Sequence, residues 1–263
     1  MDLAEARPRP VVASPRHPWE RARFEVVRRL VARHLVLRRG AVVLDVGCGD
    51  TFVVDRFARM NAGVRFYGVD TAFTSDTIRH YREQSNVSNV RLHQSLDDVD
   101  LDAAGTAALV LLMDVIEHVE DEATLIRDLL GRPYIDDETW FVITVPAYQR
   151  LFSAHDRFLG HYRRYSRTTA RQRLDRAGLT LVQCGYFFAC LLPVRALQVL
   201  RERMLRAGSI DAQTGVASWG WGAVLGNVLT TLLVLDERVA RALDFVGIAL
   251  PGLSLFAICR KSA

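Results

Sequence analysis

Apolar residues recur at helical spacing near the start of the chain: Trp19, Ala22, Val26, Val27, Leu30, Val31 and Leu35 fall on one face, and Arg38-Arg39-Gly40 closes the run. Past that stop the period changes. Short, almost uninterrupted apolar stretches at 42–46, 64–69, 109–113 and 140–146 alternate with longer mixed segments. Continuous apolar runs are what strands buried on both faces of a parallel sheet look like, and their alternation with helical patterns predicts right-handed βαβ units. Ser166-Arg167-Thr168-Thr169 opens a further helix that runs to Ala177 and ends at Gly178; 179–188 reads as a sixth strand and 253–259 as the last. Internal repeats and low-complexity segments are absent from the sequence.

The first strand ends in Asp45-Val46-Gly47-Cys48-Gly49. Glycines at the carboxyl end of a strand let the main chain approach a ligand with no Cβ in the way, and the helix that follows presents unpaired N–H groups. The second run ends in Asp70, about 20 residues on, the spacing at which an acid meets ribose hydroxyls. A dinucleotide's pyrophosphate sits poorly beside the carboxylate of Asp45. A cationic ligand suits it, and S-adenosylmethionine carries both a sulfonium and an ammonium group. A nicotinamide-linked oxidoreductase is therefore disfavoured.

These residues resemble the class I S-adenosylmethionine-dependent methyltransferases, in their ubiquinone-biosynthesis-like subgroup. Asp45, Gly47, Gly49 and Asp70 match the family's first two motifs, with Thr51 where a third glycine usually stands. Leu109 to Asp114 resembles the fourth strand, Val115-Ile116-Glu117-His118-Val119 the segment that follows it, and 140–146 the fifth. The likeness covers roughly residues 40 to 190 and the last strand. It implies a doubly wound, Rossmann-like seven-stranded α/β sheet of order 3-2-1-4-5-7-6, the last strand antiparallel, with an N-terminal helix over the cofactor crevice. It also implies S-adenosyl-L-methionine as cofactor, held by Asp45, Gly47, Cys48, Gly49, Asp70, Thr71, Ser95, Leu96, Met113, Asp114 and His118. Where relatives place an acid for the adenine amino group, this chain has Ser95-Leu96 and then Asp97 and Asp98, which leaves the adenine register open.

The segment 146–166 follows the fifth strand at the edge where ligands bind, and it is dense in His, Tyr, Arg and Asp. Relatives of the subgroup carry a similar segment beside the acceptor pocket. Methyl transfer is an in-line displacement that requires no metal, and an acceptor hydroxyl or acidic carbon must lose a proton. His155, His161 and Tyr162 are the catalytic candidates, with His118 nearer the cofactor; His155 with Asp156 and His161 with Tyr162 equally suit hydrogen-bonded pairs that hold the loop. Arg163 and Arg164 suit either an anionic acceptor group or ordinary surface ion pairs. Asp114, Glu117 and Asp121 read equally as a charged helix start.

Between the sixth and last strands lies an apolar insertion, 189–252, in which 212–235 holds no charged residue. Glycines and polar residues dilute it, and a spanning helix would strand the final strand on the wrong side of a bilayer. The expectation is a helical lid, packed on its own domain or a dimer mate, or a peripheral membrane contact with Arg201, Arg203 and Arg206 near headgroups. Residues 1–17 read as a flexible arm and 18–263 as one methyltransferase domain. Net charge is +4, with Lys261 the only lysine, and the dispersed arginines form no nucleic-acid module. Cys48, Cys184, Cys190 and Cys259 lack zinc or disulfide spacing and read as buried thiols in a reducing compartment; with no signal-peptide pattern, the expectation is a cytoplasmic, peripherally membrane-associated or free protein. The expected function is methylation of a small-molecule or lipid-like acceptor at O or C. A cofactor-binding but catalytically degenerate regulatory or membrane-surface module is the alternative.

Overall fold

The computed structural model describes residues 16–101, 105–205 and 223–262. Strands β1 (Val42–Val46), β2 (Arg65–Val69), β3 (Val90–His93), β4 (Ala107–Met113), β5 (Trp140–Pro146), β6 (Leu179–Phe187) and β7 (Ser254–Lys261) form one sheet in the order β3-β2-β1-β4-β5-β7-β6. The first five pair in parallel, and β7 runs antiparallel between β5 and β6. This is the expected doubly wound topology. β6 stops one residue early because Phe188 turns left-handed (φ 65°), whereas β7 runs on to Lys261, which pairs with Leu179.

Alternate residues of the central strands feed two apolar layers, as a strand's two-residue period requires. On one face Leu44, Val110, Leu112, Phe141 and Ile143 pack with Ile126 and Leu129 of α4 (Glu122–Leu130) and with Leu174 of α6 (Arg167–Arg176). On the other, Val43, Leu109, Leu111 and Val142 meet α1 (Pro18–His34) and α2 (Phe52–Met60). Burial of α1 follows the predicted stripe, with Ala22, Val26, Val27, Leu30 and Val31 all inside. A capping box between His17 and Glu20, with Pro18 in the first turn, fixes where that helix starts. A third cluster seats α3 (Ser75–Gln84) by Tyr81, against Cys48, Phe73 and Leu92.

The insertion contributes α7 (Leu192–Met204) and α8 (Ala223–Phe245), while 206–222, with Arg206 and half of the charge-free stretch, lies outside the described residues, as does 1–15 of the expected arm. α8 lies along α1, where Arg21 donates to Asn227 at 2.7 Å and Thr230 to the Pro18 carbonyl at 3.4 Å. No described helix is long and apolar enough to cross a membrane. The cysteines correct one expectation: Cys48 and Cys259 are buried, but Cys184 is half-buried and Cys190 exposed.

Candidate active site

The carboxyl ends of β1, β2 and β4 carry the predicted cofactor residues. Gly47 (φ 70°), Gly49 (φ 57°) and Thr51 (φ 66°) are all left-handed, so the chain winds tightly from β1 into α2. A Cβ on Gly47 would lie 2.5 Å from a Val115 methyl, so both its conformation and its surroundings demand glycine. Thr51 adopts the geometry of the missing third glycine in spite of its branched side chain, and it makes no side-chain cap bond in return. A β-branched residue there stores backbone strain beside the site.

Asp70 closes this loop from the tip of β2. Its carboxylate accepts the Gly49 N–H at 2.8 Å and the Ala72 N–H at 2.9 Å. Asp45 differs in every respect: it is 1% exposed and neither carboxylate oxygen has a hydrogen-bond partner. Burial, with a further push from the Asp70 charge, raises it to about 7. Burial and then the Asp45 charge likewise push the Cys48 thiol up. Thr71 is exposed just past Asp70, and Met113 is buried at the end of β4.

Asp114, left-handed at φ 53°, is not part of a helix start. It accepts from the Thr144 hydroxyl at 2.9 Å and pairs with Arg23, a buried residue of α1 whose Nε has no partner. Arg16, just before α1, pairs with Asp50 of the glycine loop, so the start of the N-terminal helix is tied to the carboxyl edge of the sheet. Of the three acids read as a helix start, Asp121 caps α4, accepting the Thr124 N–H at 3.1 Å, and Glu117 lies in a short 3-10 turn, Ile116–His118. Ser95 and Leu96 open a short 3-10 turn after β3; Asp98 is spent on the Ser95 N–H and Asp97 on Arg132.

In the segment after β5 the hub is Asp156, fully buried in α5 (Ala154–Phe158). It accepts from Ser153 N–H at 2.9 Å, Arg164 Nε at 2.7 Å and Arg195 Nη2 at 3.1 Å, and it meets His161 Nδ1 at 2.9 Å. Burial alone would raise its carboxyl; the His161 hydrogen bond and the Arg164 and Arg195 charges outweigh that and hold it well below the usual carboxylate range. An ionised carboxylate only accepts, so the His161 Nδ1 donates to it, which fixes the ring and turns Nε2 away from Asp156. The His161 ring meets His118 edge-on at 4.5 Å between centroids. Donor atoms of Glu117, His118 and His161 lie within 4.8 Å of one another, a spacing that a divalent cation can bridge. Glu117 is fully buried with both oxygens unpartnered, and burial reinforced by the Asp114 charge drives its carboxyl well upward.

Other expectations for the segment 146–166 change. Asp156 pairs with His161, while burial and the Arg195 charge hold the imidazole of its neighbour His155 below its ordinary value, which favours the neutral ring. Tyr162 is half exposed, with the Arg163 guanidinium 5.6 Å over its ring. Arg163 spends its donors on the Val119 and Glu120 carbonyls and on Glu122, and buried Arg164 on Asp156 and the Ala147 carbonyl. Neither guanidinium is open to an acceptor anion. Two arginines went unread in the sequence although each left a signal: Arg23 sits on the apolar face of α1, and Arg195 is the single charge in the apolar run 187–200. A lone charge among buried positions implies a buried partner.

A doubly wound sheet with an antiparallel β7, a glycine floor and acids at the tips of β1 and β2 defines the architecture of S-adenosylmethionine-dependent methyltransferases. The family described as methyltransferase domain matches residues 19–184, well over half of the chain, and the chain belongs to this class I family. Ubiquinone biosynthesis O-methyltransferase from Acinetobacter baumannii (strain ACICU) is 33% identical over 90 residues, 34% of this chain and 37% of that protein. The protein of the same name from Xanthomonas campestris pv. campestris (strain B100) is 31% identical over 113 residues, 43% of this chain and 45% of its own length. The chain thus spans less than half the length of these curated relatives. Among solved structures, coclaurine N-methyltransferase bound to N-methylheliamine and SAH superposes with a TM-score of 0.54 at 15% identity, covering 90% of this chain and 70% of that one. The (4+2)-cyclase SpnF gives 0.53 at 18% identity, covering 97% and 85%. At such identities these two speak for the fold alone.

Proposed function

We propose that this chain methylates a hydroxyl group of a small-molecule or lipid-like acceptor, with His161 as the general base. The observation that carries the reading is the Asp156–His161 pair, a buried carboxylate 2.9 Å from Nδ1 of an imidazole whose ring packs on His118 in the turn following β4. The name of the curated relatives, O-methyltransferase, supports the choice of oxygen.

The crevice fits the cofactor of the family. Orphaned buried atoms are the test: Asp45 would face the ammonium group and the unpartnered Arg23 Nε the carboxylate of its amino-acid end. Asp70 would take the ribose hydroxyls, over the bare backbone of Gly47 and Gly49, with Ser95 and Leu96 toward the adenine. The sulfonium supplies an activated methyl carbon and a neutral leaving group. The chain's own work is alignment, exclusion of water and removal of one proton. His161 Nε2 receives the acceptor's hydroxyl proton, and Asp156, held by Arg164, Arg195 and Ser153, stabilises the imidazolium that forms.

The test is transfer of labelled methyl from S-adenosylmethionine to a panel of phenolic and aliphatic hydroxyl acceptors. His161→Ala should lower turnover at least roughly 100-fold while calorimetric affinity for S-adenosylhomocysteine stays within about twofold of the parent. Turnover that survives the substitution, or cofactor affinity that falls with it, overturns the assignment.

A further inference from the structure

We propose that the insertion docks the protein onto an anionic lipid surface through the outward faces of α7 and α8. Most of the large hydrophobic side chains exposed among the described residues lie between 194 and 248. They are ordered. On α7, Leu197 is 67% and Met204 75% exposed; on α8, Val228, Leu232 and Val239 are all about half exposed at spacings of four and seven, and Phe245 just beyond them is 91% exposed. Positions four and seven apart share one helix face, so α8 shows an apolar stripe to the outside as well as one to α1. An apolar patch of this extent on a soluble domain marks an interaction surface.

Charge selects the occupant. Each acid of the two helices is already engaged: Glu202 accepts the Ala154 N–H at 2.8 Å, Asp236 the Ala189 N–H at 2.7 Å, Glu237 is buried with Arg241 at 2.9 Å, and Asp244 pairs with Arg167 at 3.2 Å. By contrast Arg201 and Arg238 are exposed and form no ion pair among the described residues, and exposed Arg203 reaches only a backbone carbonyl. The outward surface is therefore apolar and cationic, with its acids neutralised or hydrogen-bonded. An anionic headgroup layer above hydrocarbon is complementary to both properties at once. Since no described helix spans a bilayer, the contact is one of helices lying in the interface.

The docking face is bolted to the acceptor segment. Arg195 of α7 donates to Ser153 at 2.6 Å, and Arg203 to the Arg150 carbonyl at 2.7 Å. A docked chain thus holds its acceptor side against the bilayer, the geometry a lipid-like acceptor needs. Only this consequence rests on the function proposed above; the docking itself does not.

The experiment is co-sedimentation of the full chain with phosphatidylcholine vesicles, with and without about 30% phosphatidylglycerol, at about 0.1 and 0.5 M salt. Binding to the anionic vesicles should be at least about tenfold tighter than to the neutral ones and should weaken at high salt. Leu197→Glu with Leu232→Glu, and separately Arg201→Glu with Arg238→Glu, should each reduce it about tenfold or more. Both variants should retain parental S-adenosylhomocysteine affinity by calorimetry, which separates loss of docking from loss of fold or cofactor site. Absence of anionic-vesicle binding, or binding that ignores both variants, overturns the proposal. A dimer in light scattering that Leu197→Glu dissociates, without vesicle binding, would overturn it in favour of a second copy on this face.

Discussion

Asp45→Asn should remove from the ligand-free protein a loss of stability that sets in as pH rises from about 4 to about 7, while weakening its hold on the cofactor. In the folded chain burial raises Asp45 to about 7, against an ordinary carboxylate value of 3.8. Three units at about 1.4 kcal/mol each amount to roughly 4 kcal/mol. The folded-state value lies above the unfolded one, so the folded state holds the extra proton between the two. The contribution of Asp45 to stability is therefore greatest below about pH 4, falls as pH rises toward 7 and levels off above it. Asparagine carries neither the proton nor the charge. The stability difference between variant and parent should accordingly widen by up to about 4 kcal/mol from pH 4 to pH 8, on the order of 10 °C in melting temperature for a chain of this size. Glu117, shifted upward for the same reason, adds a slope of the same sign to both proteins and cancels in the difference. Paired urea denaturation of the ligand-free proteins across that range is the assay. The slope of the difference is the readout, because a buried asparagine amide adds an offset that does not vary with pH. Parallel curves would refute the reasoning and show that Asp45 is solvated or paired in solution.

Two further substitutions probe the crevice and the insertion. Asp70→Ala should weaken S-adenosylhomocysteine binding by about 1.5–3 kcal/mol, read by calorimetry, since it removes a charged acceptor from the ribose position and frees the Gly49 N–H it now holds; unchanged affinity would place the ribose elsewhere. Arg195→Ala should lower unfolding free energy by about 2 kcal/mol, since a charged donor is withdrawn from the buried Asp156. The same variant should raise the titration midpoint of His155 in ring NMR, because Arg195 is one of the charges that hold it down. A midpoint that stays in place while stability falls would limit Arg195 to packing.

Particular residues show where reading the chain as a string succeeds and where it stops. The Asp45, Gly47, Gly49 and Asp70 set was legible because each residue sits a few positions from a strand end, so strand periodicity alone carries it to the sheet's carboxyl edge. The pairing of Asp156 was not. Adjacency suggested His155, but neighbours on a helix point about 100° apart, and the loop after α5 brings His161 back to the carboxylate at 2.9 Å. Thr51 stands where the resemblance places a third glycine, and only the backbone angle of 66° shows that it adopts that glycine's geometry. Arg163 and Arg164 suited either an anionic ligand or surface ion pairs in the sequence, because their partners, Glu122 and Asp156, come from other turns of the chain.

Local pattern by itself determined six of the seven strands, the helix before the first strand and the one before the sixth, the glycines and acids at the strand ends and the apolar character of the insertion, since these follow from hydrophobic period and strand-end chemistry within a few residues. β3 and the strand order came only with the family resemblance. Tertiary structure decided which charges neutralise one another. Arg23 reaches Asp114 and Arg195 reaches Asp156 across long sequence separations. It also decided which acids are left with nothing, as Asp45 and Glu117 are. Burial and charge compensation depend on everything that surrounds a side chain in three dimensions, and no periodicity along the chain encodes that.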